Sequence, residues 1–77
     1  MKFLPKYNYE LLKTDKENIF FVKDKNIVVK IFKIEYKRVM EKEIVDLLNL
    51  RCVNKLAPHI IDSFIENDIC YLMLEIK

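Results

Sequence analysis

Glycine does not occur in this chain of 77 residues. No loop can therefore use glycine's freedom to bring bare backbone N–H groups against a ligand. Cysteine is nearly missing too: Cys52 and Cys70 lie far apart, with no Cys-x-x-Cys spacing and a lone histidine, His59. A zinc site would lack ligands, and the two thiols are expected to be free, buried and reduced. No apolar run approaches the roughly 20 residues of a membrane span. The apolar stretch at the N-terminus is too short for a signal peptide. These absences point to a cytoplasmic protein without a membrane segment.

Charge of one sign is scarce as well. The formal net charge is +2, and the lysines alternate with acids along the chain instead of clustering. That pattern argues against nucleic acid, whose binders carry a concentrated basic face. A small α+β nucleic-acid binder built on scattered lysines and aromatics remains the least supported of three readings.

Apolar residues make up 52 % of the sequence, enough to form a core. A domain this short buries only about 60 % of its unfolded surface, so that core is marginal. Residues 1–77 read as one domain, without repeat or linker. Residues 1–8, broken by Pro5, read as an irregular lead. Residues 9–13 make a weak strand or one helical turn, and 14–18 a polar turn. Ile19–Val22 and Ile27–Phe32 are rich in β-branched and aromatic residues and read as a hairpin. From Glu35 to Val53 the period becomes helical, with Tyr36, Met40, Ile44, Leu47, Leu48 and Arg51 on one stripe. Pro58 rules out continuation, and His59 is placed in the loop beside it. Residues 60–65 and 69–76 are strands around an Asn67-Asp68 turn. The fold class expected is α+β: a five-stranded antiparallel sheet with one helix between strands 3 and 4.

Lys30 is the residue hardest to explain by folding alone. It stands in Ile27-Val28-Val29-Lys30-Ile31, where an ammonium needs a partner or a route to water. The helix that follows offers Glu41 and Glu43. At about 100° per residue, Glu43 lies roughly 60° from the middle of the apolar stripe and Glu41 roughly 100° on the other side. Glu43 is thus nearer the boundary that faces the sheet, and a Lys30–Glu43 pair is expected.

A strand lysine, a glutamate on the next helix and two further hairpin-linked strands resemble the small lobe of protein kinases. In spacing the chain is similar to small atypical kinases and to aminoglycoside and lipopolysaccharide phosphotransferases. There the lysine holds the α- and β-phosphates of ATP and the glutamate orients it. Ile27-Val28-Val29-Lys30 resembles the Val-Ala-x-Lys element, with Val28 in place of the small alanine of the adenine pocket. Leu56-Ala57-Pro58-His59-Ile60-Ile61-Asp62 resembles the Leu-x-Pro-x-x-x-Asp lead into the fourth strand. Tyr71-Leu72-Met73-Leu74-Glu75 resembles the fifth strand and the start of the hinge. The likeness implies that Leu74 is the gatekeeper and that the backbone of Glu75 and Lys77 faces the adenine edge.

The same likeness shows departures. The turn 14–18 stands where kinases carry a glycine-rich phosphate cover, yet it holds Asp15 and Glu17 with Lys16. The catalytic-loop Asp and Asn and the metal-binding Asp of that family belong to its large lobe, which residues 1–77 are not expected to include. Asp62 and Asp68 are read as strand and turn residues distant from the cleft. The chain by itself is therefore expected to transfer no phosphate. Its expected role is to bind a protein partner (a second copy, a separate large-lobe chain or a complete kinase), with ATP as a weak ligand. The second reading is an ATP-binding lobe of an active Ser/Thr-type kinase or small-molecule phosphotransferase, completed by another chain or by a longer parent protein. In either, Val28, Lys30, Leu74 and one side of the helix are expected to lie bare.

Overall fold

A computed structural model describes residues 2–76. They form strands β1 (Lys2–Leu4), β2 (Tyr9–Lys13), β3 (Ile19–Val22) and β4 (Ile27–Lys33). A short 3-10 turn (Ile34–Tyr36) leads into helix α1 (Lys37–Val53), then β5 (His59–Glu66) and β6 (Ile69–Glu75). All pairs are antiparallel, and the sheet order is β1-β2-β3-β4-β6-β5. The α+β class is thus observed, but with six strands instead of five. The lead expected to be irregular supplies the extra one, because Leu4 pairs with Tyr9 and is fully buried in the core. Pro5 ends that strand without preventing it. His59 likewise opens β5, opposite Glu75, and is not a loop residue.

Without glycine, the tight turns must use other residues. The described residues with positive φ are Asn8, Asp24, Asn67 and Asp68, at φ 55°, 64°, 52° and 62°. Asn and Asp tolerate the left-handed region because their short polar side chains bond locally to the backbone. Asn67 and Asp68 are consecutive, as a two-residue turn between β5 and β6 requires.

The sheet has two different faces, since side chains alternate along each strand. On the face away from α1 the sheet curls on itself. Leu4, Leu11, Phe20, Val22, Val29, Tyr71 and Met73 form one buried cluster there, drawn from five strands. On the other face α1 packs Met40, Ile44 and Leu47 against Phe32, Ile60, Cys70, Leu72 and Leu74. Of the stripe expected to face the sheet, Tyr36 and Leu48 are instead exposed. Met40 alone among the described helix residues is buried. The helix end is held by polar contacts: Asn54 N–H donates to Leu50 O at 2.8 Å and Arg51 Nη1 donates to Ala57 O at 2.9 Å. Cys70 is buried as expected, whereas Cys52 is exposed on the helix; both thiols are free.

Candidate functional site

The register of β4 with β6 sets the site. Val28 faces Leu74, Lys30 faces Leu72 and Phe32 faces Cys70. These positions share the face that α1 covers. Lys30 Nζ donates to Glu43 Oε1 at 2.7 Å, joining the middle of β4 to the second turn of α1. The two side chains are 26 % and 31 % exposed, so solvent still reaches the pair. The expected contact is therefore present, and Glu43, not Glu41, makes it. The other carboxylate oxygen, Glu43 Oε2, is buried and has no hydrogen-bond partner. A carboxylate with one satisfied and one orphaned oxygen is held by its cation and stays open to a further donor.

The remaining predicted residues fall in different places. Val28 and Leu74 lie beside each other as expected, but both are buried, so neither forms a bare surface. Met40, Ile44 and Leu47 fill the space above that part of the sheet, which is why the expected exposure there fails. Glu75 ends β6 opposite Ile27 and His59 and is partly exposed. Lys77 lies outside the described residues.

The exposed apolar surface lies further along the same face. A single cross-strand row runs Leu12, Phe21, Val28, Leu74 and Ile60. Leu74 and Ile60 pack in the cluster under the helix, and Val28 beside Leu74 is buried. The row's other members, Leu12 and Phe21, are 43 % and 46 % exposed, and Phe3 on β1 extends them. Phe21 lies one strand from Lys30 and Leu12 two, and they form an apolar wall on this face; Phe3 stands three strands away, opposite Glu10. The sequence reading missed Leu12, Phe21 and Phe3 as site residues. Alternation in β2 and β3 could have placed Leu12 and Phe21, given the pairing register; Phe3 required knowledge that β1 exists.

The turn between β2 and β3 is closed by its own groups. Thr14 Oγ1 donates to Ile19 O at 2.8 Å and accepts the Lys16 N–H at 3.1 Å. Asn18 O accepts the Ile31 N–H at 2.9 Å, tying the turn to β4. The Lys16 N–H is thus already used, and Asp15 and Glu17 flank it. A hollow of about 430 Å³ beside the turn is lined by Lys13, Thr14, Asp15, Lys16, Glu17 and Phe20. Its charges alternate in sign and it does not include Lys30, so it offers no concentrated anion site. Among the described residues no three His, Cys, Asp or Glu side chains converge as metal ligands.

A second polar cluster went unread in the sequence. Asp62 Oδ2 accepts the Tyr7 hydroxyl at 2.7 Å and the Lys6 ammonium at 2.9 Å, while Oδ1 accepts the Ser63 N–H at 2.8 Å. Tyr7 stacks on Tyr9 and Phe64 stacks on Tyr71, extending the cluster over the core. The Tyr7 and Lys6 donors hold the Asp62 carboxyl below its ordinary value of 3.8, and Asp62 in turn raises Lys6 and Tyr7. A depressed carboxyl stabilises the fold above its unfolded pKa, and that contribution is lost as pH falls through the folded value. For Lys6 and Tyr7 the sign is reversed, with loss as pH rises through their raised values. Thermal melts are expected to show a fall in stability below about pH 4 that Asp62→Asn flattens. An unchanged acid limb in that variant would remove Asp62 from the account.

Comparison with known proteins returned no matching family model, no matching curated protein and no matching solved structure. Among the described residues no helix is long and apolar enough to cross a membrane.

Proposed function

We propose that this chain is a kinase-like lobe that holds the phosphates of a nucleotide weakly and works against a protein partner. The Lys30–Glu43 pair at 2.7 Å carries this reading. A glutamate that fixes an ammonium at the edge of an apolar wall sets out the two parts a nucleoside polyphosphate needs: a cation for phosphate and a flat surface for the ring. Leu12 and Phe21 offer that surface, with Phe3 beyond them.

The same arrangement explains why a partner belongs in the proposal. One wall covers one face of a ring and leaves the other in water. The turn 14–18 adds two acids near the phosphates, and its Lys16 N–H is already bonded to Thr14. Affinity for nucleotide is then about millimolar, near −4 kcal/mol, and rises when another protein supplies the opposite wall. The role proposed is binding and regulation, because the resemblance puts the phosphate-transferring carboxylates in a large lobe. The second reading, the ATP-binding lobe of an active phosphotransferase completed by another chain or a longer parent, draws on the same pair: a lobe with a purely structural role has no need of it.

Nucleotide titration tests the reading. With ATP and Mg²⁺ near their dissociation constant, stabilisation is RT ln 2, about 0.4 kcal/mol. For a domain of this size that raises the melting temperature by about 2–3 °C. Lys30→Met is expected to abolish the rise. A Lys30→Met protein that still responds to ATP would refute the role given to Lys30.

A further inference from the structure

The two ends of the sheet meet at one carboxylate. Among the described residues β5 pairs with β6 on one side and with no strand on the other. It is eight residues long, contains no Lys, Arg or Pro, and exposes Ile61 and Ile65. A strand with these properties accepts another strand unless something guards it. Here the guard is visible. The register shifts between Ile60 and Asp62, which breaks the ladder. Asp62 Oδ1 takes the Ser63 N–H, a donor at the middle of the strand. Asp62 Oδ2 is gripped by Lys6 and Tyr7, from the turn that joins β1 to β2 at the far side of the sheet. The Lys6 ammonium also lies 5.3 Å from the Phe64 ring centroid, and the Tyr7 and Phe64 rings are 6.3 Å apart.

We infer that the Lys6–Tyr7–Asp62 contact is a latch, and that its release makes β5 the interface with a second copy of this chain. The sequence of β5 suits itself in one antiparallel register. With Ser63 facing Ser63 across a two-fold axis and the bulged Ile61 skipped, Asp62 faces Phe64, Ile60 faces Ile65 and His59 faces Glu66. Ile60 pairs with Leu74 and Ile65 with Cys70, both on the helix side of the sheet, so they meet on one face as cross-strand neighbours must. No like charges oppose each other. The neighbouring register, with Phe64 on the axis, sets Asp62 against Glu66 twice and is disfavoured. A groove lined by Lys37, Met40, Glu41 and Ile44 of α1 and by Ser63, Phe64 and Ile65 of β5 borders the same edge, so the helix side of the interface joins apolar side chains to one charge of each sign. This inference does not depend on nucleotide binding at Lys30, since it uses a different strand and different residues.

Sedimentation velocity on the whole chain tests it, with far-UV circular dichroism to verify folding. The wild-type protein is expected to be monomeric at micromolar concentration. Asp62→Ala is expected to dimerise at least about tenfold more tightly. Adding Ile65→Lys to Asp62→Ala places a lysine on the edge and is expected to restore the monomer. A folded Asp62→Ala protein that stays monomeric overturns the latch. So does a wild-type protein that dimerises as tightly as the variant, or a dimer that Ile65→Lys leaves intact. If Asp62→Ala does not fold, Lys6→Met/Tyr7→Phe releases the same carboxylate and is read by the same criteria.

Discussion

Leu72→Ala is expected to destabilise the protein by about 2–5 kcal/mol, the range for removing a buried leucine side chain. Leu72 is fully buried, pairs with Lys30 and Ser63, and belongs to the cluster through which Met40, Ile44 and Leu47 hold α1 to the sheet. The helix has little else to rest on, since Val39, Val45, Leu48, Leu50 and Val53 are exposed. A cavity under it is poorly refilled, because the sheet beneath is fixed by pairing on both sides of β6. A domain of 77 residues holds about 4–12 kcal/mol in total, so this one change removes a large part of it. The melting temperature should fall by about 10 °C or more. Leu12→Ala, on the exposed part of the same face, is the control and should cost less than about 1 kcal/mol. Equal melting temperatures for the two variants would show that α1 does not depend on this cluster.

The elements that could be read in the sequence are those whose pattern is local. Ile19–Val22 has a run of β-branched and aromatic residues, and the helical period from Glu35 to Val53 covers α1, so the sequence locates both elements. The Asn67-Asp68 turn was legible from its residue types. β1 was not, because three residues carry no period and Pro5 argues for a break. Only pairing with β2 and the burial of Leu4 make Lys2–Leu4 a strand. The same holds for His59, which is in a strand because the ladder with β6 continues that far. Tyr36 belongs to the 3-10 turn before α1, and Leu48 lies about 100° round the helix from Leu47, off the strip of Met40, Ile44 and Leu47 that packs on the sheet.

The candidate site divides in the same way. Lys30 and Glu43 are thirteen positions apart, and strand-to-helix order with helical phase brings them together without knowledge of the rest. Which surface remains open was not legible, because it depends on how far α1 reaches over the sheet. Val28 and Leu74 are covered and Leu12 and Phe21 are not, a difference of one or two strands. The Asp62 cluster joins residues 55 and 56 positions apart, through a turn whose position follows from the curl of the sheet. No short-range pattern marks such a contact.

The Lys30–Glu43 pair should show strong energetic coupling and little net contribution. Lys30→Met strips the cation from a carboxylate whose Oε2 already lacks a partner. Leaving a partly buried carboxylate unsatisfied costs about 1–3 kcal/mol, and the 31 % exposure of Glu43 puts the value in the lower half of that range. Glu43→Leu should cost less, since the long Lys30 stem can carry its ammonium toward solvent and the orphaned oxygen is removed. The double variant Lys30→Met/Glu43→Leu replaces the pair with apolar groups on an apolar face and is expected to match or exceed the wild-type stability. Thermal or urea unfolding of the four proteins gives the coupling directly. Strictly additive losses would mean that the two side chains do not interact in solution, and the nucleotide reading would lose its anchor. If the double variant is the most stable of the four and no longer responds to ATP, the pair is kept at a cost to the fold, and phosphate binding is what that cost sustains.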